Sequence, residues 1–289
     1  MGKLTISLDF ELGWGAIESQ MWQSRETRGV YEDFRPVFKR LLRLLDELEV
    51  PLTWATVGAM ISDPKASDFS HLPDAFRERA VDFLALAKPL TRDGRDLMDQ
   101  LLKMNTQQDI GLHSFSHTRF QESSFTVESK LIDLQRGTQS LKDLGVTPKS
   151  FVFPVNQVQN LELLPQVGLS IARTPPPTLK TGREKLIQAA TGKTPSAKRQ
   201  TISAGFDTEA GSMLYNWRNS WLRKILIDHQ IRAAFRKAKI SDYHLHLWLH
   251  PFNLAEIKGL EQGLYSLLKK AATLRDAGKI SIEPMSEPA

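Results

Sequence analysis

Two histidines stand four residues apart in "DIGLHSFSHTRF", residues 109–120, in a chain that has only seven histidines among 289 residues. If the backbone turns there as in a helix, His113 and His117 can reach one cation. Ser114 and Ser116 would equally suit a capping turn. A second group lies in "SLDFELGW". Asp9 and Glu11 are two apart in an alternating segment, so their side chains share a face about 7 Å apart along the strand. Carboxylates on an inner face are costly to bury unless a cation or a donor meets them. A third is "YHLHLWLHPF", where His244, His246, Trp248 and His250 share one face and His250 stands last, before Pro251. An acid–base histidine belongs at such a strand mouth. His244 and His246, further back, read as structural. In "FVFPVNQ", Val155 and Asn156 follow Pro154 and offer a backbone N–H and an amide.

Taken together, two histidines and a carboxylate make a three-ligand site for zinc or a similar divalent ion, with a coordination position left for water. Asp9 and His250 remain as an acid–base pair. These are the parts of metal-assisted hydrolysis of an amide or ester.

The elements that must position them alternate. Residues 3–12 form a strand with Leu4, Ile6, Leu8, Phe10 and Leu12 on one side and Thr5, Ser7, Asp9 and Glu11 on the other. Helical periodicity follows at 34–49, 73–87, 93–105, 126–144, 216–238 and 255–277. Strands are expected in "PLTWATVGAM", "QDIGLH", "SFVFPV", "VGLSIARTPPP", "YHLHLWLHPF" and "ISIEP". Residues 178–200 are polar and basic and read as a surface excursion with one helical turn. The alternation implies an α/β fold with a mostly parallel sheet, whose site lies at the C-terminal strand ends. The whole of 1–289 reads as one catalytic domain.

Composition is that of a soluble globular chain: 41% hydrophobic and 25% charged, with no cysteine, so thiolate sites and disulfides are excluded. The net charge of +5 is too mild to indicate nucleic acid. The N-terminus shows no signal-peptide pattern and no spanning run, so a cytoplasmic location is expected. The 216–238 helix carries Arg218, Arg223, Lys224, Arg232, Arg236 and Lys237, which suits a solvated face, a phosphate-bearing ligand or peripheral contact with an anionic membrane.

The motifs resemble those of the polysaccharide deacetylases, carbohydrate esterase family four. "SLDFE" is similar to that family's Thr-Phe-Asp-Asp motif with the metal carboxylate displaced by one residue. "HSFSH" matches His-(Ser/Thr)-x-x-His, and "WLH" matches Leu-x-His with Trp248 in the leucine position. "LHLWLHPFNL" and "SLDFELGWG" also resemble a bacterial subgroup found near cell-surface glycan genes. The likeness runs from residue 5 to residue 254. It implies a distorted (β/α) barrel of about seven strands and removal of N-acetyl groups from an amino sugar. It further implies Asp9 as base, His250 as acid, Glu11, His113 and His117 as metal ligands, and zinc as the expected ion. Two expected groups are out of place. The third-motif arginine falls on Val152, for which Arg173 is the candidate substitute, and the fourth-motif aspartate has no counterpart. Trp14 and Trp248 are candidate pocket walls, with Phe10 facing the core, and Val155, Asn156 and Arg173 complete the substrate side. A formyl group or a ring ureide is an alternative substrate. A non-catalytic glycan-binding protein is the alternative of a different class.

Overall fold

The computed structural model describes residues 1–64, 67–176 and 191–286. Its centre is a sheet of parallel strands: β1 (Gly2–Phe10), β2 (Thr53–Thr56), β3 (Asp109–Leu112), β4 (Ser150–Val152), β5 (Ile171–Thr174), β7 (Phe206–Ala210), β8 (Met213–Leu214) and β9 (His244–Leu249), with β6 (Arg199–Ser203) antiparallel to β7 and β10 (Ile280–Ile282) added beside the start of β1. Ten strands among the described residues are more than the expected seven, and the excess has a geometric cause. Strands β7 and β8 belong to one run of chain. Gly211 donates to Thr174 on the β5 side, while Ser212, the next residue, donates to His246 on β9. One stretch therefore serves two diverging neighbours and breaks between them. Counting it once, the ring is β1, β2, β3, β4, β5, β7/β8 and β9, a distorted (β/α) barrel of seven staves. Strands β6 and β10 lie outside it.

Alternation in β1 divides the two environments. Leu4, Ile6, Leu8 and Phe10 face the surrounding helices and are buried. Phe10 stacks on Phe38 of α2 (Val30–Glu47) and meets Trp54 edge-on. Thr5, Ser7 and Asp9 point into the barrel. Among the described residues the other helices are α1 (Met21–Thr27), α3 (Gly58–Ile61), α4 (Asp74–Leu86), α5 (Pro89–Arg92), α6 (Arg95–Leu101), α7 (Val127–Lys142), α8 (Trp221–Ala238), α9 (Asn253–Glu256) and α10 (Leu260–Asp276). The helix expected over 255–277 is broken at Gly259, whose φ of +76° no helix accommodates. The basic helix expected from 216 begins at Trp221, where the Ser220 hydroxyl accepts from Arg223 N. Of the expected basic excursion, residues 178–190 lie outside the described residues, and its end joins the sheet as β6. No reading of the sequence anticipated strands in 201–214.

The floor of the barrel is polar. Asp109 is buried and accepts from Thr53 Oγ1 (2.8 Å), Ser150 Oγ (2.9 Å) and Ser286 Oγ (2.7 Å). Burial pushes its carboxyl up to about 6, the hydrogen bonds offsetting only part of the effect. An acid whose pKa is raised by folding stabilises the protein most below its unfolded pKa, and that contribution is lost as pH rises through 6. The difference corresponds to roughly 3 kcal/mol. Asp109→Asn should therefore flatten the decline in urea midpoint between about pH 4 and pH 7. An unchanged slope would assign that titration to another group.

Candidate active site

Five side chains from three strand ends (β1, β3 and β9) meet at the C-terminal rim of the barrel. Asp9 is the last inward-facing residue of β1, and Glu11 follows one residue after the strand ends. Their side chains are each 4% exposed. Glu11 Oε2 lies 2.9 Å from His117 Nε2 and 3.4 Å from His113 Nε2. The ligand atoms of these three buried residues all lie within 4.8 Å of one another. His250 Nε2 stands 3.4 Å from Glu11 Oε1 and 3.9 Å from Asp9 Oδ2, and its side chain is 27% exposed, facing the mouth.

The histidine pair is not held by a helix. Residues 113–118 form a loop in which Ser114 (φ +61°) and His117 (φ +63°) both adopt left-handed backbone. This corrects the expected helical turn. Neighbouring elements supply what a helix would have supplied. Gly58 N and Ala59 N, at the start of α3, donate to the carbonyls of Ser114 and Phe115. Asp133, buried on α7, accepts from Phe115 N and bonds His71 Nε2 at 3.0 Å. Ser114 Oγ accepts from His117 N, so Ser114 braces the loop as a capping residue would. His113 Nδ1 lies 2.7 Å from the Val152 carbonyl, which can only accept. Nδ1 therefore carries the proton, and Nε2 turns its lone pair toward Glu11. A carboxylate and two imidazoles converging in this way fit a zinc-type divalent ion.

Gly15 makes room for Glu11. A Cβ at that position would lie 1.9 Å from Glu11 Oε1. Burial opposes ionisation of Glu11, but the neighbouring His250 and His117 outweigh it and hold the carboxyl well below the usual range.

Asp9 is gripped from the side. Arg173 donates from Nη1 to Oδ1 (2.7 Å) and from Nη2 to Oδ2 (2.9 Å). Burial again opposes ionisation of Asp9, and the Arg173 charge and hydrogen bonds reverse it, so the net direction is down. Val152 and Arg173 are register partners on β4 and β5. The guanidinium missing at Val152 is thus supplied from the next strand at the same height. Arg173 also donates to Asn156 Oδ1 (3.0 Å) and lies 4.8 Å over the Trp248 ring.

The pair is anchored deeper in the barrel. Arg173 Nη1 donates to Ser7 Oγ (2.8 Å), which leaves the Ser7 proton for His246 Nε2, 2.8 Å away. His246 must then carry its own proton on Nδ1, which faces Glu209 Oε1 at 2.9 Å, though misaligned for a hydrogen bond. Arg199 and Lys3 balance the Glu209 charge. His244 bonds Thr5 Oγ1 at 2.9 Å, and burial pushes its imidazole down to about 4. Both inner histidines are structural, as their position on the strand suggested. Sequence reading missed Ser7, Glu209 and Asp133 as supports. Ser7 shares the inward face of β1 with Asp9, the one signal that pointed to it.

Trp14 is not a pocket wall. It is 1% exposed, packs against Phe69 and Phe83, and donates its indole N–H to the Arg92 carbonyl. Four residues past the end of β1, it turns outward into the helical layer. Trp248 is part-exposed beside His250, and Val155 is 47% exposed with φ +48°. Among the described residues, the carboxylates within 4 Å of His250 are Asp9 and Glu11, so no separate aspartate attends it.

No protein-family model matches the chain, and no curated protein matches it in sequence. Solved structures do. A candidate polysaccharide deacetylase from Mycobacterium smegmatis superposes with a TM-score of 0.64 at 14% identity, covering 99% of this chain and 87% of that one. Another, from Pseudomonas aeruginosa PAO1, gives 0.60 at 13% identity, with 98% and 87% covered. The Puue allantoinase gives 0.60 at 11% identity over the same shares. At these identities the likeness establishes the fold, the barrel of the polysaccharide deacetylases.

Two substitutions test the geometry. Gly15→Ala should displace Glu11 and weaken uptake of an added divalent ion by roughly 10–100-fold in a calorimetric titration, with the circular dichroism spectrum unchanged. Arg173→Met strands a buried carboxylate and should cost about 3–5 kcal/mol of unfolding free energy. Most of that should return in the Arg173→Met/Asp9→Asn double variant, and a purely additive result would mean the two groups are not coupled.

Proposed function

We propose that the chain is a metal-dependent hydrolase that removes N-acetyl groups from an amino-sugar glycan or glycan precursor. The observation that carries this reading is the gathering of Glu11, His113 and His117 beside an arginine-held Asp9 and a part-exposed His250 on one rim. Glu11, His113 and His117 are the residues that would hold the ion, with zinc the expected one. When bound, such an ion supplies Lewis acidity toward an acyl carbonyl and makes water a stronger acid.

This chain's residues do the rest. Asp9, kept ionised and oriented by Arg173, takes the proton from the attacking water. His250, at the mouth, delivers a proton to the departing amine. The backbone N–H of Val155 is the donor assigned to the acyl oxygen as charge develops there. The part-exposed Trp248 offers an aromatic surface to a sugar ring, and Asn156, fixed through its Oδ1 by Arg173, offers its NH2 group to a hydroxyl.

An arginine absent from the base aspartate would favour a glycan-binding protein without catalysis. Arg173 on Asp9 removes that argument. The allantoinase of the same fold keeps other amides in play, so the substrate panel must include N-formyl sugars and a ring ureide.

Elemental analysis and acetate release on N-acetylated sugars test the proposal. His113→Ala should lose metal and activity together. Asp9→Asn and His250→Ala should retain metal and lose roughly 10²–10⁴-fold in turnover. Full metal content in His113→Ala would overturn the ligand assignment. Metal-loaded wild type that hydrolyses no N-acyl sugar would overturn the reaction.

A further inference from the structure

Helix α8 has two apolar faces. Ile227, Ile231, Ala234, Phe235 and Ala238 are spent on the barrel. On the opposite side, Trp221 is 75% exposed, Leu222 54% and Ile225 51%. At about 100° per residue, the outward stripe that starts at Trp221 and Ile225 continues through Arg232, Arg236 and Lys239 within about 60° of arc. All three of these cations are exposed, as are Arg218 and Arg223 beside the apolar end. Among the described residues none of the five has a carboxylate within ion-pair range. The helix has a single acidic residue, Asp228, which Lys224 already holds.

The patch adjoins the site. Strand β8 runs parallel to β9, so the start of α8 rises from the same barrel end as His250. Trp221 lines a cleft with Trp217, Lys224, Glu256 and Lys258, and Glu256 lies six residues beyond His250.

We propose that this face of α8 docks the protein on an anionic phospholipid surface, with Trp221, Leu222 and Ile225 entering the headgroup region and the cationic row lying on the phosphates. The chemistry fits an interfacial helix: an aromatic ring at the polar–apolar boundary, aliphatic neighbours, and unpaired cations along the same stripe. A second copy is the poorer occupant. An isologous contact would set the same unpaired cations against themselves. No helix among the described residues is long and apolar enough to cross a membrane, so the contact is peripheral. Docking here brings the rim that bears His250 close to the bilayer surface, where a lipid-linked glycan precursor would be presented. The lipid contact itself does not depend on the reaction assigned to the site.

The test uses the full, metal-loaded chain and sedimentation with vesicles of phosphatidylcholine alone or mixed with phosphatidylglycerol. Wild type should bind the mixed vesicles, release in high salt, and leave the neutral ones. Trp221→Ser/Leu222→Ser/Ile225→Ser and, separately, Arg232→Gln/Arg236→Gln should each weaken binding by roughly tenfold or more. Metal content and helical signal, measured on the same samples, report the fold and keep a failure of lipid binding distinct from a failure of the hydrolase reading. Absence of binding by wild type, equal binding to both vesicles, or undiminished binding by the apolar triple variant would overturn the proposal. So would a dimer in solution that the triple variant dissociates without any lipid binding.

Discussion

Inside this barrel, a guanidinium clamps a carboxylate that would otherwise be ruinous to bury. Asp9 and Arg173 are both almost wholly enclosed and meet through two parallel hydrogen bonds. A lone ion there would cost several kcal/mol even after relaxation, roughly the stability of a whole domain. The pair tolerates burial because every partner is itself held: Ser7 accepts from Arg173, His246 accepts from Ser7, and Glu209 stands against His246. A charged group at the rim thus depends on a polar column reaching down the barrel. That column explains why the inward faces of β1 and β9 carry Thr, Ser and His where a barrel of this size is usually filled with Val, Ile and Leu.

The same logic governs the loop of paired histidines. A helix would have satisfied its own backbone, but the loop from His113 to Thr118 borrows partners from α3, α7 and β4. Two left-handed residues, neither of them glycine, persist because these contacts over-determine the conformation. The cost is accepted where ligand atoms must converge. The Val152 carbonyl sets the tautomer of His113, so a residue that lacks the expected side chain still serves the site through its backbone.

Closure of the ring accounts for the remaining departures from expectation. One strand shared between β5 and β9 splits at Gly211, and Glu209, just before the split, faces inward beside His246. Moving the arginine from β4 to β5 leaves its height unchanged because Val152 and Arg173 are in register. A one-dimensional motif comparison sees a missing residue where the sheet shows a lateral shift of one strand.

Periodicity alone settled much. The two-residue alternation of β1 placed Asp9 inward and Phe10 outward, and strand–helix alternation determined a parallel sheet, because parallel neighbours require crossovers. The spacings of Asp9 with Glu11, of His113 with His117, and the terminal position of His250 named the residues that the rim brings together. Contacts between distant segments were not legible. Nothing local in "FDTEA" marks Glu209 as a support, since its partners are Arg199 across a hairpin and His246 on the neighbouring stave. Nothing near Trp14 says it turns into the helical layer, because its neighbours Phe69 and Phe83 come from later elements. Side-chain direction along one strand is set by the pleat, and the sequence therefore carries it. Which strands stand side by side, and at what height, is set by closing the ring, and only the folded barrel decides it.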